Sequence, residues 1–111
     1  MAGEDTLIFS DDNFESDVLQ SSEPVLVDFW ADWCAPCRAL GPVIDELATE
    51  YRGRVKIGKL DTDANQQTAI RFSVQSIPTI MLFKDGQMVK RWVGITPKKD
   101  FKSALDEHVA R

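Results

Sequence analysis

The chain has 111 residues, of which 43% are hydrophobic and 28% are charged, and its formal net charge at pH 7 is -5. This length suits one hydrophobic core, so residues 1–111 are expected to form a single domain. The lysines and arginines are scattered and outnumbered by acidic residues, which leaves no basic stripe for a phosphate backbone and argues against a nucleic-acid partner.

The N-terminal segment, residues 1–5 (MAGED), is acidic and runs directly into a short apolar stretch. It therefore lacks the basic region and the long hydrophobic region of a secretory signal. No later segment approaches the roughly eighteen uninterrupted apolar residues of a membrane span. We therefore expect a cytoplasmic protein without a membrane partner. In that reducing compartment, two cysteines are expected to be catalytic or metal-binding rather than a structural disulfide.

Strand and helix patterns alternate along the first half of the chain. Leu7–Phe9 is predicted to be a short strand, followed by a helix with Ser10 as its N-cap. Val25–Trp30 is nearly continuous in apolar residues, as expected for a central strand that is covered on both faces. Over residues 36–51 the apolar positions recur at steps of three and four, which predicts a helix that begins at the two cysteines.

The second half of the chain adds three strands and two helices to this pattern. Apolar positions predict strands near residues 55–60 and 79–83, with a shorter helix ending at residues 69–72. Asp85 and Gly86 form a predicted hairpin turn into a paired strand at Gln87–Val93, and Pro97 is placed in the first turn of a last helix. The order βαβαβαββα predicts an α/β fold with a central mixed sheet and helices on both faces, because crossover helices require parallel neighbours whereas the hairpin requires an antiparallel pair.

Cys34 and Cys37 lie where the chain leaves the central strand and a helix begins, the usual position of active sites in such sheets. A zinc site needs four ligands, and His108, far along the chain, is the only other strong nitrogen or sulfur ligand, so we expect no metal. A purely structural disulfide across about four residues would contribute roughly 2 kcal/mol, less than one that closes a long loop. A redox pair is the hypothesis that fits this spacing best.

The start of a helix would make one of the two sulfurs reactive. A cysteine just before a helix N-terminus faces unsatisfied backbone N–H groups and the positive end of the helix dipole, and both favour the thiolate. The thiolate is the attacking species in disulfide exchange, so Cys34 is predicted to be the nucleophile. Cys37, one turn inside the helix, is predicted to be shielded and to react second.

Four segments together resemble the thioredoxin family: VDFWA at residues 27–31, WCAPC at 33–37, IPT at 77–79 and VG at 93–94. The resemblance covers essentially the whole chain and implies the thioredoxin fold. It also implies a general protein disulfide reductase that works by thiol–disulfide exchange through a mixed disulfide. A flavin-containing thioredoxin reductase that uses NADPH would restore the dithiol, so the chain itself would need no bound cofactor. A monomer is expected.

One position departs from the family pattern. Thioredoxins usually have Gly-Pro between the cysteines, whereas this chain has Ala35 and Pro36. The methyl group of Ala35 narrows the backbone angles open to the dipeptide. We expect the same fold and chemistry with a small shift of redox potential in either direction, since 30 mV corresponds to about 1.4 kcal/mol.

Asp28 interrupts the apolar central strand, and Lys59 lies in the next predicted strand. Burying a charged carboxylate is costly, so the pKa of Asp28 is expected to be raised. The alternative is a strand-edge aspartate that points to solvent. The resemblance implies that Asp28 lies beneath Cys37 and moves its proton. It also matches Lys59 to a lysine that tunes this carboxylate, whereas on sequence alone Lys59 is expected to be a solvated lysine at a strand end.

A docking surface for substrates follows from the resemblance. Base rates favour a trans peptide bond before Pro78, whereas the resemblance implies a cis bond, which would turn the backbone of Ile77 outward to pair with an extended substrate. Around Ile77 and Pro78, the residues Trp33, Gly94 and Ile95 are expected to complete an apolar surface. The alternative for Trp33 is a core aromatic residue, but a residue that adjoins a reactive loop is expected to be partly exposed.

Two other functions remain open from the sequence. The first is an oxidase or isomerase of an oxidising compartment on the same fold, against which the absent signal sequence and Pro36 next to Cys37 argue. The second is a binding or assembly subunit that uses the fold as a scaffold and leaves its thiols idle. A redox potential separates the first from a reductase, and cysteine variants separate the second.

Overall fold

The structure, a computed structural model, describes residues 3–109. Its strands are β1 Leu7–Phe9, β2 Val25–Trp30, β3 Lys56–Asp61, β4 Thr79–Lys84 and β5 Gln87–Val93. Its helices are the π-helix Glu15–Leu19, α1 Ala35–Glu50, α2 Gln66–Arg71 and α3 Lys98–His108. The predicted order of strands and helices is confirmed. No helix within residues 3–109 is both long enough and apolar enough to cross a bilayer.

The strands form a mixed sheet in the order β1-β3-β2-β4-β5. β3 is parallel to β1 and β2, whereas β4 is antiparallel to β2 and β5. Asp85 and Gly86 turn the chain between β4 and β5 with φ angles of 53° and 80°. Positive φ at both positions is what a tight hairpin turn requires, and glycine adopts it without strain. β2 lies at the centre of the sheet, so the cysteine segment leaves from the middle of its carboxyl edge.

Side chains of β2 alternate between two cores, one on each face of the sheet. Leu26 packs with residues of α1 and α3, whereas Val25, Val27 and Phe29 pack with the π-helix and with residues that follow α2. The prediction of a central strand covered on both faces is confirmed. Asp28 shares the α1 face with Leu26, because successive side chains of a strand point to opposite faces.

The first helix differs from the predicted one in length and in kind. The N–H of Ser10 donates to Oδ1 of Asn13 at 2.8 Å, and the N–H of Asn13 donates to Oγ of Ser10 at 3.2 Å. Ser10 therefore caps a turn, and the regular helix starts only at Glu15. There the N–H of Gln20 donates to the carbonyl oxygen of Glu15 at 3.0 Å, the bond between residues five apart that defines a π-helix.

Candidate active site

The two cysteines are joined in a disulfide at the start of α1. Their Cα atoms are 5.2 Å apart, a separation within the normal range for bridged cysteines. Cys34 is the N-cap of α1, and its Sγ accepts a hydrogen bond from the backbone N–H of Cys37 at 3.2 Å. The sulfur predicted to be the nucleophile therefore lies at the positive end of a helix of 16 residues.

Exposure does not distinguish the two cysteines, because Cys34 is 4% exposed and Cys37 is 2% exposed. Their surroundings do distinguish them. Sγ of Cys34 lies 3.7 Å from the carbonyl oxygen of Ile77, a residue of the expected docking surface. Cys37 lines a cleft of about 240 Å³, shared with Trp30 and Lys59. One sulfur thus contacts the docking residues and the other borders a cleft with charged walls.

The two residues between the cysteines are exposed and begin the first turn of α1. Pro36 lacks an N–H, and an N–H in the first turn of a helix has no partner within the helix in any case. Ala35 is the first helical residue, and it is not among the residues with positive φ. The backbone therefore does not require a glycine at this position, which makes Ala35 compatible with the turn.

The expected docking residues differ in exposure. Trp33 and Ile95 are 68% and 64% exposed, Ile77 and Gly94 are half-buried, and Pro78 is buried. The peptide bond between Ile77 and Pro78 is cis, as the resemblance implied and base rates did not. The carbonyl oxygen of Pro78 accepts the N–H of Gly94 at 2.8 Å, and Ile77 packs against the cluster that contains both cysteines. The core alternative for Trp33 is wrong.

Trp33 is held in place by Asp63, a residue outside the recognised motifs. Nε1 of Trp33 donates a hydrogen bond to Oδ2 of Asp63 at 2.8 Å. The N–H of Asp63 in turn donates to Oδ1 of Asp61 at 2.9 Å, which fixes the loop after β3. Trp33 and Ile77 line a groove of about 190 Å³ on this side of the molecule. The signal that could have found Asp63 is its place just beyond the carboxyl end of β3.

Asp28 is 1% exposed and pairs in register with Lys59 of β3 and Ile80 of β4. Neither of its carboxyl oxygens has a hydrogen-bond partner among residues 3–109. Burial therefore raises the pKa of Asp28 to about 7, although the positive charge of Lys59 lowers this pKa; the negative charge of Asp45 raises it further. The predicted rise in the pKa of Asp28 is confirmed, and the solvent-facing alternative is wrong.

Lys59 is 7% exposed, so the solvated lysine expected from sequence alone is wrong. The reason is topological: β3 lies between β1 and β2, and Lys59 is on the face that α1 covers. Its Nζ lies 5.0 Å from the centre of the Trp30 ring. A Cβ added to Gly41 of α1 would be 3.5 Å from the same Nζ. The register with Asp28 gives the two residues the neighbouring positions that the resemblance implied.

The cleft beside Cys37 brings charged groups from several elements together. Cys37, Gly41 and Asp45 follow one another at four-residue steps, so they line one wall along α1. Lys59 forms the wall next to Asp28. A polar cleft of this volume has room for water beside Cys37. The complete lining is Trp30, Asp32, Cys37, Arg38, Gly41, Pro42, Asp45 and Lys59.

Two charged residues of the cleft, Arg38 and Asp45, lie outside the recognised motifs. The guanidinium of Arg38 donates to the carbonyl oxygen of Asp32, and Asp45 accepts a hydrogen bond from Thr6. The four-residue spacing along the predicted helix could have placed Asp45 on the side of Cys37. In the described part of the chain, no group of three or more His, Cys, Asp or Glu side chains is placed to hold a metal ion.

Comparisons with known proteins agree with this geometry. A family model described as Thioredoxin matches residues 5–107, a range that includes both cysteines and Asp28. A thioredoxin from Synechocystis is 51% identical over 100 residues, which are 90% of this chain and 94% of that protein. A thioredoxin from Haemophilus influenzae is 47% identical over 105 residues, 95% of this chain and 98% of the relative. Thioredoxin C-2 from Corynebacterium nephridii is 45% identical over 100 residues, covering 90% and 93% of the two chains.

Proposed function

This chain belongs to the thioredoxin family of protein disulfide oxidoreductases, and from that premise we propose that it is a general reductase of protein disulfides. It works in the cytoplasm as a monomer, and an NADPH-dependent thioredoxin reductase restores its dithiol. The observation that carries the proposal is the Cys34–Cys37 disulfide on the N-terminus of α1, next to the docking residue Ile77. The chain itself needs no bound cofactor for this exchange.

The first step belongs to Cys34. In the dithiol form its thiolate attacks one sulfur of a substrate disulfide, forming a mixed disulfide and releasing the other substrate sulfur as a thiolate. The helix dipole favours the thiolate form of Cys34. So does the backbone N–H of Cys37, which lies 3.2 Å from Sγ of Cys34 and donates a hydrogen bond to it. The released substrate thiolate takes a proton from solvent.

The second step belongs to Cys37 and Asp28. Cys37 transfers its proton to the Asp28 carboxylate, and the resulting thiolate attacks Sγ of Cys34. The mixed disulfide breaks, the second substrate sulfur leaves and is protonated, and the Cys34–Cys37 disulfide forms. The substrate has then gained two electrons from the enzyme dithiol and two protons, one from solvent and one that Asp28 returns to the second substrate sulfur. A pKa of about 7 suits Asp28 to accept and return this proton near neutral pH.

Substrate binding depends on exposed apolar side chains and on the main chain. Trp33 and Ile95 present large exposed surfaces, while Pro78 and Gly94 are linked by a hydrogen bond beneath them. An extended substrate segment pairs with the backbone of Ile77, as a strand adds to a sheet edge. Such a surface contacts few substrate side chains specifically, so the protein accepts a broad range of substrates.

The test is a trapping experiment with a purified protein that contains one disulfide. A Cys37→Ser variant should accumulate a covalent adduct with this substrate, and dithiothreitol should dissolve the adduct. The matched Cys34→Ser variant should accumulate little adduct, because it keeps the Cys37 thiol but lacks the Cys34 thiol at the N-terminus of α1. In a coupled assay, the parent chain should accelerate NADPH oxidation by a purified thioredoxin reductase in the presence of the same substrate.

Absence of an adduct from Cys37→Ser, together with a parent chain that fails to accelerate reduction of the substrate by dithiothreitol, would contradict the reductase. A parent chain that reduces the substrate but accepts no electrons from the reductase would contradict only the proposed partner. A strongly oxidising potential of the cysteine pair would instead favour an oxidase or isomerase.

A further inference from the structure

The residues before β1 form a turn that lies along α1. The N–H of Thr6 donates to the carbonyl oxygen of Gly3 at 3.2 Å, which closes the turn. Asp5 accepts a hydrogen bond from the hydroxyl of Thr49 at 3.0 Å and lies 3.4 Å from the guanidinium of Arg52. Two contacts thus attach this N-terminal turn, residues 3–6, to the last turn of α1 and to the residues that follow it.

A third contact of the N-terminal turn reaches the cleft. The hydroxyl of Thr6 donates to Oδ1 of Asp45 at 2.6 Å, and Thr6 is buried. Gly3 lies against the same side chain, because an added Cβ there would be 3.1 Å from both Cβ and Cγ of Asp45. The carboxylate of Asp45 is therefore held by a short hydrogen bond and covered on one side by Gly3.

Asp45 is also a wall of the cleft that Cys37 lines. The other charged groups at this cleft are Arg38 from α1, Asp32 from the loop before it and Lys59 from β3. Asp28 of β2 pairs with Lys59 of β3 on one side and with the uncharged Ile80 of β4 on the other. Asp45 is thus the acidic group that α1 itself contributes to the surroundings of Asp28.

We propose that Thr6 is a positioning residue for the redox site, acting through its hydrogen bond to Asp45 to hold a second carboxylate in the cleft that Cys37 and Lys59 line. A second negative charge near a buried carboxyl group opposes its ionisation, and the charge of Asp45 accordingly raises the pKa of Asp28. The inference rests on the proposed role of Asp28 as proton acceptor. It adds that a turn far from the cysteines in sequence shifts the pH at which this acceptor is available.

The test is the titration of the Asp28 carboxyl carbon by NMR in the oxidised full-length chain. Thr6→Val keeps the shape of the side chain and removes the donor, so Asp45 turns to solvent, where water screens its charge. We expect the Asp28 midpoint to fall by about 0.5 pH unit. Asp45→Asn should lower the midpoint by at least as much. Thr6→Ser, which keeps the hydroxyl, should retain the parent midpoint.

Thr49→Val is the matched control, because it removes the hydrogen bond to Asp5 of the same turn and keeps the hydrogen bond from Thr6 to Asp45. This variant should leave the Asp28 midpoint unchanged. Adding Thr6→Val to Asp45→Asn should cause no further shift. An unchanged midpoint in Thr6→Val would overturn the proposal, and so would a shift that persists in the Asp45→Asn background. The oxidised protein performs no turnover in this measurement, so either result leaves the reductase proposal standing. Urea unfolding of each variant verifies that it is folded.

Discussion

At the scale of single residues, the buried carboxyl group of Asp28 is a group of the site whose protonation changes near neutral pH. Its two oxygens have no hydrogen-bond partner within residues 3–109, so the full cost of burial falls on the charged form. Lys59 offsets part of this cost, and the pKa of Asp28 is about 7. A carboxyl group with this pKa is partly ionised near neutral pH, which the proposed transfer of the Cys37 proton requires.

Asp28→Asn removes the proposed base with little change of shape. We expect substrate release from a preformed mixed disulfide on Cys34 to slow by about 100-fold at pH 8. In the parent chain the release rate should rise with pH through a midpoint near 7, as Asp28 loses its proton, and the variant should lack this rise. Rapid mixing with a disulfide that releases a coloured thiol measures the rate. Alkylation of Cys34 should be little changed, whereas equal release rates would remove Asp28 from the mechanism.

At the scale of elements, α1 contributes to both steps of the proposed exchange. Its N-terminus is capped by Sγ of Cys34, and one turn later Cys37 reaches the inner cleft. Further turns bring Gly41 and Asp45 to the same cleft. One helix therefore carries both sulfurs and brings the second sulfur to the cleft that charged groups line.

The capping of α1 predicts an asymmetric reactivity of the reduced chain. Iodoacetamide should modify Cys34 first, with a half-maximal rate at a pH at least about one unit below that of the same chain unfolded in urea. Cys37 should be modified only after unfolding, because it lies one turn inside α1 and borders the inner cleft, whereas Cys34 is at the N-terminus of the helix beside Ile77. Mass spectrometry of peptides after timed alkylation measures both rates. Equal modification of the two cysteines in the folded chain would contradict this assignment of roles.

Elements with a strong local pattern could be predicted from the sequence. The continuous apolar run of β2 and the three- and four-residue steps of α1 identify both elements, with boundaries that differ from the structure by about one residue at most. The first helix was predicted less well, because the reciprocal bonds between Ser10 and Asn13 stabilise a turn in its place. A pair of hydrogen bonds between two polar residues does not change the spacing of the apolar residues, so hydrophobic periodicity could not predict this turn.

At the scale of the whole molecule, the sheet brings residues that are distant in the chain to one site. Pairing of β2 with β3 puts Asp28 beside Lys59, and pairing of β4 with β5 continues to the bond between Pro78 and Gly94. The redox pair of Cys34 and Cys37 can be predicted from the spacing of the two cysteines in the sequence. The burial of Lys59, the support of Trp33 by Asp63 and the contact of Thr6 depend on register and packing, so spacing alone could not predict them.

Burial of Asp28 also links the stability of the whole fold to pH. The unfolded chain has the ordinary aspartate pKa of 3.8, whereas the folded value is about 7, so the folded state binds this proton more tightly. The contribution of Asp28 to the free energy of unfolding is therefore fully present below pH 3.8 and is lost as pH rises through 7. The total loss corresponds to about 4 kcal/mol.

Asp28→Asn should consequently be more stable than the parent chain at pH 8, by up to about 4 kcal/mol, and similar to it at pH 4. Urea unfolding of both oxidised proteins across this range measures the difference. Comparing the two chains cancels the other carboxylates, including Asp11 and Glu50, whose pKa values are lowered by hydrogen bonds from Thr68 and Lys98. A stability difference that does not grow with pH would contradict the assigned burial effect.

The hydrogen bond from Trp33 to Asp63 restricts the rotation of an indole ring whose side chain is mostly exposed to solvent. A side chain that is already ordered loses few rotamers when a partner covers it, so the entropy cost of contact is small. The ring can then meet unrelated surfaces without reshaping itself for each one. For the proposed reductase, burying a flat aromatic face of this kind would favour brief contacts with many substrates over lasting association with one.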